Sequence, residues 1–468
     1  MPELTRRRRL TVLAVCCMSL LIVSLDNTAL NVALPSMRRE FDATVSGMQW
    51  TIDAYTLVLA SLLMLAGSTA DRIGRRRVFT TGLVVFALGS LLCSLAPSLE
   101  ALVAFRAVQA VGGSMLNPVA MSIITNTFTK PAARARAIGV WGAVVGVSLA
   151  AGPLVGGALV ESVGWRAIFW VNLPVALAAL LLTLRYVPES RAPRPRRPDP
   201  VGQVLVALLL GSLTYAIIET DPLFAGIAVL ALAGLLRYEP RRREPLIDLR
   251  FFRSAPFSGA TVIAVSAFAA LGGFLFLNTL YLQDVRGLDA LRAGLFMLPM
   301  AGMTFVCAPL SGRLTGSRGP RLPLLLAGTA MAAGALLFAA FEAETDDVLL
   351  LTGYVVFGIG FGLVNAPITD TAVSGMPRAQ AGVAAAVAST SRQIGQTLGV
   401  AVIGTVLAAG AGPDPAAADF TAAARPGYWV VTGCGLVVLL VGALTTGGWA
   451  RGTARRTARR LEIEEAPA

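Results

Sequence analysis

An ionisable side chain inside an apolar run that crosses a bilayer costs about 3 kcal/mol or more, so each one is a candidate for function. Four stand out in this chain of 468 residues: Asp26, Asp53, Arg106 and Arg392. Asp26 lies about eight residues before one end of its run, Asp53 about five residues after the start of the next, and Arg106 about six residues into the fourth. At about 1.5 Å per helical residue, all three fall roughly 8–12 Å below one membrane surface. Three such groups at one depth describe a shared polar cavity. Burial raises the pKa of an aspartate and a nearby arginine lowers it. A change of pairing or of water access would therefore load and release a proton. Two other readings stay open: a static Asp–Arg pair, and an Asp53 that only reaches the headgroups. Arg392 falls near the midplane, where a substrate contact and a structural lock fit equally well.

Other residues suggest mechanics rather than chemistry. The stretch GSTADRIGRRR at 67–77 places Gly67, Asp71, Arg72, Gly74, Arg75 and Arg76 between two apolar runs. Its glycines permit a tight turn and its charges can latch helices, whereas arginine alone would satisfy topology. The fifth run holds Gly142 and Gly146, then Gly152, Pro153, Gly156 and Gly157. Two GxxxG spacings around a Gly-Pro step describe a packing seam or a hinge. The polar residues Asn27, Asn31, Gln109, Asn278 and Asn365, with Arg392, are candidates for a substrate cavity. Trp50, Trp165, Trp170, Tyr281, Tyr428 and Trp429 lie mostly near run ends and read as interfacial anchors. The sequence has no P-loop, HExxH or GxSxG and no histidine, so the expectation is a non-enzyme without metal or cofactor. The five cysteines all sit in apolar runs and read as packing residues.

These residues need long apolar elements to hold them. The chain is 55% hydrophobic and 14% charged, against about 25% charged in soluble domains. Fourteen runs are long enough to span a membrane as helices: 10–34, 48–70, 78–98, 100–128, 137–160, 166–187, 201–219, 222–237, 256–282, 293–314, 321–341, 348–374, 382–410 and 427–450. The first follows an arginine cluster like a signal peptide, but its length marks it as a retained span. With the N-terminus inside, 31 of the 39 basic residues fall in cytoplasmic segments and six in the opposite loops. That bias sets both termini in the cytoplasm and explains the net charge of +12 without nucleic acid. Polar stretches at 188–200 and 239–256 divide the chain into a six-span bundle (10–187), linkers with a two-span insert (188–255), a second six-span bundle (256–450) and a cytoplasmic tail (451–468). The halves show weak self-similarity. GSTADRIGRR at 67–76 parallels GRLTGSRGPR at 312–321, MLNP at 115–118 parallels LVNAP at 363–367, and Gly152 and Gly156 fall on Gly395 and Gly399. Chance agreement in helices this rich in glycine and alanine is the competing explanation.

With these motifs in order, the sequence resembles the major facilitator superfamily, in particular its fourteen-span drug:proton antiporters. LDNTALNVALP at 25–35 resembles the family's first-span motif, which implies that Asp26 is the coupling carboxylate. GSTADRIGRRR resembles its conformational latch. RAVQAVGG at 106–113 is similar to the fourth-span motif, with Arg106 and Gln109 matching and Ala110 standing where glycine is usual. GVSLAAGPLVGG at 146–157 resembles the antiporter motif, and WRAIFWVNLP at 165–174 the start of span six. The resemblance implies an all-α fold of two six-helix bundles plus a two-helix insert, working by alternating access. It implies proton-coupled export of an amphipathic small molecule across a bacterial inner membrane, with no cofactor beyond the proton gradient. Export of one endogenous metabolite, import of a nutrient, and a non-transporting sensor or enzyme remain as alternatives. Substrate charge and oligomeric state are not legible.

Overall fold

A computed structural model describes residues 5–192, 199–242, 244–342, 345–374, 376, 381–411 and 417–465. Four expectations about charge fall wholly or partly elsewhere: the arginines of 193–198, Arg243 and Arg378 lie outside the described residues, as do two positions of the acidic stretch at 342–347.

Every described regular element is helical. The helices are α1 (Arg6–Phe41), α2 (Val45–Ile73), α3 (Arg75–Ser94), α4 (Leu99–Ser114), α5 (Asn117–Thr127), α6 (Pro131–Ser162), α7 (Ala167–Tyr186), α8 (Pro200–Ile218) and α9 (Pro222–Tyr238). They continue with α10 (Ala255–Leu280), α11 (Ala290–Arg318), α12 (Arg321–Ala339), α13 (Asp347–Val373), α14 (Ala381–Ala411), α15 (Ala417–Thr445) and α16 (Gly448–Glu465). Fourteen segments are long and apolar enough to cross a membrane, with α4 and α5 together forming the fourth. This is the expected span count.

Local chemistry explains the joints. Thr44 and Ser98 cap α2 and α4 by accepting from Gly47 N at 3.2 Å and Ala101 N at 3.3 Å. Gly74 has φ +126°, a conformation that L side chains rarely adopt, and it joins α2 to α3 with no intervening loop. The break between α4 and α5 is new relative to the sequence reading. Pro118 has no N–H and would clash with a carbonyl one turn back, so a continuous helix fails there. The chain turns instead through Met115 N to Gly112 O and Leu116 N to Gly113 O, both 3.1 Å.

The described chain divides into two compact units, Met1–Ala207 with Leu288–Leu295, and Leu208–Gly287 with Phe296–Ala468. The division falls inside α8 and assigns the first turn of α11 to the first unit. Within the first unit, Val12, Tyr55, Phe79, Phe86 and Ile124 are among the core side chains. The second unit is centred on aromatic rings: Phe274 stacks on Phe357 at 4.0 Å and meets Phe338 edge-on at 4.8 Å.

Close packing at glycines repeats between the units. In the first, Gly89 abuts Gln109 and Gly112 abuts Phe86, joining α3 to α4; in the second, Gly334 abuts Phe357 and Gly360 abuts Met331, joining α12 to α13. Likewise Gly152 and Gly156 of α6 meet Thr28 and Ala29 of α1, while Gly395 and Gly399 of α14 meet Val265 and Ala269 of α10. The same contacts in the same order make chance a poor account of the sequence self-similarity.

Some expectations need correction. Trp170 and Trp429 are exposed, as anchors facing lipid would be. Trp165, Tyr281 and Tyr428 are instead buried. Trp165 Nε1 donates to Glu40 at 2.6 Å, Tyr281 Oη donates to the Glu342 carbonyl at 2.8 Å, and Tyr428 lies in the aromatic cluster. Trp165 and Tyr281 satisfy their polar tips inside the protein, whereas the Tyr428 hydroxyl has no hydrogen-bond partner. The stretch after 450, expected as a tail, is helical to Glu465.

Candidate functional site

Asp26 and Arg106 form an ion pair with both side chains fully buried, joining α1 to α4. Arg106 Nη1 donates to Asp26 Oδ2 and also, at 2.7 Å, to Gln109 Oε1 one helical turn on. Asp26 Oδ1 accepts from Gln109 Nε2 at 2.9 Å and from Asn172 Nδ2 of α7 at 2.7 Å. Ser90 of α3 completes the cluster, accepting from Gln109 Nε2 at 2.8 Å. The guanidinium lies 4.2 Å over the Tyr55 ring, and its Nε donates to the Thr51 carbonyl at 3.3 Å, both on α2. Five helices thus converge on one carboxylate and one guanidinium. A buried pair is tolerable only when its remaining hydrogen-bond capacity is met, and here polar neighbours meet that of the carboxylate and of the guanidinium Nε and Nη1. Arg106 Nη2 is the exception, with no hydrogen-bond partner.

Asp53 does not join this pair. It is 0% exposed, so its side chain faces protein on every side. Its Oδ1 accepts from Thr56 at 3.4 Å, and its Oδ2 has no hydrogen-bond partner. Equal depth on neighbouring spans was the argument for grouping it with Arg106; depth does not specify which way a helix face turns. Asp53 is a second isolated buried carboxyl.

Asn172 and Ser90 were missed by sequence reasoning. Asn172 interrupts the apolar run of WRAIFWVNLP, and that interruption is the signal that could have found it. Gln109 was expected in a substrate cavity. It is 0% exposed and bonded to Asp26, Ser90 and Arg106, so it belongs to the ion-pair cluster. Asn27 is half-buried, with its Oδ1 unpartnered, and Asn31 donates to the Asn27 carbonyl at 2.9 Å. In the second unit, Asn278 is fully buried, donating to Phe274 O and accepting from Tyr354 Oη, each at 2.8 Å. It too is packed rather than open. Asn365 is half-buried on α13. Arg392 is half-buried; its Nη2 donates to Thr369 Oγ1 at 2.6 Å, and its Nε lacks a partner.

The glycine-rich helix α6 is packed at only one of its two GxxxG spacings. Gly142 has open space around it. At Gly152 and Gly156 an added Cβ would strike Thr28 and Ala29, the residues just beyond Asp26. Thr28 Oγ1 also donates to Ser148 O at 3.2 Å. Gly157 lies against Ala290 and Leu291, and the Pro153 carbonyl lies against Gly294, contacts internal to the first unit. The Pro153 step of α6 is therefore wedged beside the ion pair. Gly146 is half-buried.

The charged turn is tied down by a partner the sequence reading did not identify. Asp71 accepts from Arg75 Nε at 3.0 Å and Nη2 at 2.7 Å. Glu189, just past α7, sits over Gly74 and accepts from Arg76 N at 3.1 Å. Arg75 N donates to Ser190 O at 2.9 Å, Ala192 N to Asp71 O at 3.0 Å, and Arg76 Nη2 to Leu184 O at 2.6 Å. A carboxylate at the start of α3 also complements the helix dipole. Arg72 is exposed, and a Cβ added at Gly67 would lie 3.7 Å from Pro118.

Comparison with known proteins supplies the family. A family model described as Major Facilitator Superfamily matches residues 16–400. The chain is 37% identical over 412 residues to multidrug resistance protein Stp of Mycobacterium tuberculosis, covering 86% of this chain and 76% of that protein. It is 37% identical over 413 residues to the tetracenomycin C resistance and export protein of Streptomyces glaucescens, with the same coverage. Among solved structures, a bacterial homologue of the human lysosomal transporter Spinster, in an inward-facing conformation, matches with a TM-score of 0.64 at 18% identity, covering 99% of this chain and 100% of that one.

Proposed function

The chain belongs to the Major Facilitator Superfamily and is a multi-pass membrane transporter of small molecules, and from that premise we propose that it is a secondary active antiporter. In this reading it exports drugs or other amphipathic compounds across a bacterial cytoplasmic membrane, in exchange for protons, with both termini in the cytoplasm. No cofactor takes part. The names of the similar resistance and efflux proteins support the direction of transport.

The observation that carries the reading is the fully buried Asp26–Arg106 pair. A proton arriving at Asp26 cancels the charge that holds Arg106. The guanidinium then keeps only neutral partners: the Gln109 side chain, the Thr51 carbonyl and the Tyr55 face. Helix α1 is released from α4. Because α1 packs directly on Gly152 and Gly156, its movement is passed to the Pro153 step of α6. Loss of the proton restores the pair and reverses the shift. Asp53 supplies a second buried carboxyl, and the Asp71–Arg75 turn with Glu189 latches one end of the bundle. In the second unit, the polar side-chain contact between α10 and α13 is the neutral Asn278–Tyr354 hydrogen bond, beside the stacked Phe274 and Phe357 rings. The first half thus carries a charged pair where the second carries a neutral hydrogen bond, which suits a machine driven by protons from one half.

The test is a susceptibility panel in an efflux-deficient host, followed by uptake of the best compound into everted vesicles. An inside-acid gradient should drive accumulation, and its collapse by an ionophore should abolish it. Accumulation indifferent to the gradient would overturn proton coupling. Accumulation only under the opposite gradient would make the protein an importer.

A further inference from the structure

The function above makes no use of α16, the helix that begins three residues after α15 ends. One face is docked: Ala450, Ala454 and Thr457 are buried, a spacing of i, i+4, i+7, and Thr453 Oγ1 accepts from Ala255 N at 2.9 Å at the start of α10. Arg451, Arg455, Arg456, Arg459 and Arg460 are all exposed. Among the side chains described, those up to Arg460, none of the five has an ion-pair partner. Trp449, 70% exposed, opens the helix. Helical spacing places Trp449, Arg456 and Arg460 along one flank, since they are seven and then four residues apart. The exposed Arg253 lies on the 3-10 turn Leu249–Arg253, which packs against α16. The acidic residues Glu462, Glu464 and Glu465 follow only in the last turn.

We infer that α16 is an interfacial helix that binds the anionic headgroups of the membrane lipid through this arginine face. Its position decides the partner. A helix joined to a membrane-crossing helix by two residues cannot leave the surface, so its guanidinium groups sit at headgroup depth whether or not another ligand is near. An indole at the junction favours the same interface. Basic residues beside an anionic bilayer are each attracted appreciably, and the attraction fades within a Debye length. Five exposed arginines, four of them within six residues, match phosphate-rich lipid. A soluble polyanion would not require the Trp449 flank. Docking through Ala450, Ala454 and Thr457 then makes lipid charge a restraint on the start of α10, the helix that carries Asn278. The inference rests on the membrane reading of the chain, but not on which side α16 lies.

The experiment is hydrogen–deuterium exchange on the full-length protein in nanodiscs of phosphatidylcholine alone or with phosphatidylglycerol, whose two leaflets are alike. Amides of α16 should exchange on the order of tenfold more slowly with phosphatidylglycerol. The difference should vanish in 1 M salt and in the variant carrying Arg451, Arg455, Arg456, Arg459 and Arg460 all changed to Gln. Changing the same five to Lys should restore it, because headgroup attraction needs charge and not the guanidinium fork. Peptides of α12 and α13 serve as the folding control and should be the same in every variant. Equal exchange in both lipids would overturn the proposal. So would a protection in phosphatidylglycerol that the Gln variant keeps, or protection produced by added polyuridylate in phosphatidylcholine but not by lipid.

Discussion

A double-mutant cycle on Asp26 and Arg106 separates a coupling device from inert scaffolding. Both side chains are 0% exposed. Changing Asp26→Asn alone leaves a buried guanidinium without its counter-charge, and Gln109 and Asn172 lose the charge on the acceptor they share. Removing one member of such a pair costs about 3–5 kcal/mol. Arg106→Gln alone leaves a bare carboxylate, held now only by two amides, at a similar cost. The two together remove both charges, and the remaining amides can pair among themselves. The double variant should therefore be less destabilised than the sum of the singles by about 2–3 kcal/mol. Equilibrium unfolding of purified protein in mixed micelles gives the three values. Additive effects, within about 0.5 kcal/mol, would refute the claim that the pair is energetically coupled. Transport supplies the second half. The double variant should fold and yet confer no proton-driven efflux. If it pumps like the wild type, the pair is structural and the proposed mechanism falls.

Further predictions concern the parts around the pair. Gly156→Leu should destabilise the first unit by about 1–3 kcal/mol and cut efflux, because its side chain would meet the Ala29 backbone, whereas Gly142→Ala should change neither, having open space around it; thermal stability and resistance read both. Glu189→Gln weakens a charge-assisted bond to Arg76 N, a loss of about 1 kcal/mol, and should slow transport more than it lowers stability. An unchanged transport rate would remove the latch role. Tyr354→Phe deletes one neutral hydrogen bond to Asn278, worth about 1 kcal/mol, and should leave the proton dependence of efflux unaltered. A shifted proton dependence would place coupling in both halves.

The sequence disclosed the fold because span length and charge bias are one-dimensional properties. That Asp26 and Arg106 could meet was likewise legible, since counting residues along the apolar runs sets them at one level. What counting omits is rotation. Asp53 lies at a similar estimated depth, but it stands apart from the pair, and Gln109 turns toward Asp26 rather than to a cavity. Gly142 and Gly152 have the same GxxxG signature, yet only the second faces a neighbouring helix. Long-range partners were invisible for a related reason. Glu189 is more than a hundred residues from Arg76, and nothing local in VPES marks it as the cap of another helix. The helix after residue 450 was masked by its arginines, which read as topogenic charge and hid the small buried stripe of Ala450, Ala454 and Thr457.

The most direct measurement uses proteoliposomes containing Asp26→Asn and the compound to which the wild-type chain gives the greatest resistance. Counterflow of labelled against unlabelled compound should persist, because exchange needs no net proton movement. Accumulation against a concentration gradient, driven by an imposed pH difference, should disappear. Accumulation by Asp26→Asn at the wild-type level would contradict the account, since the proton would then be carried by some other group.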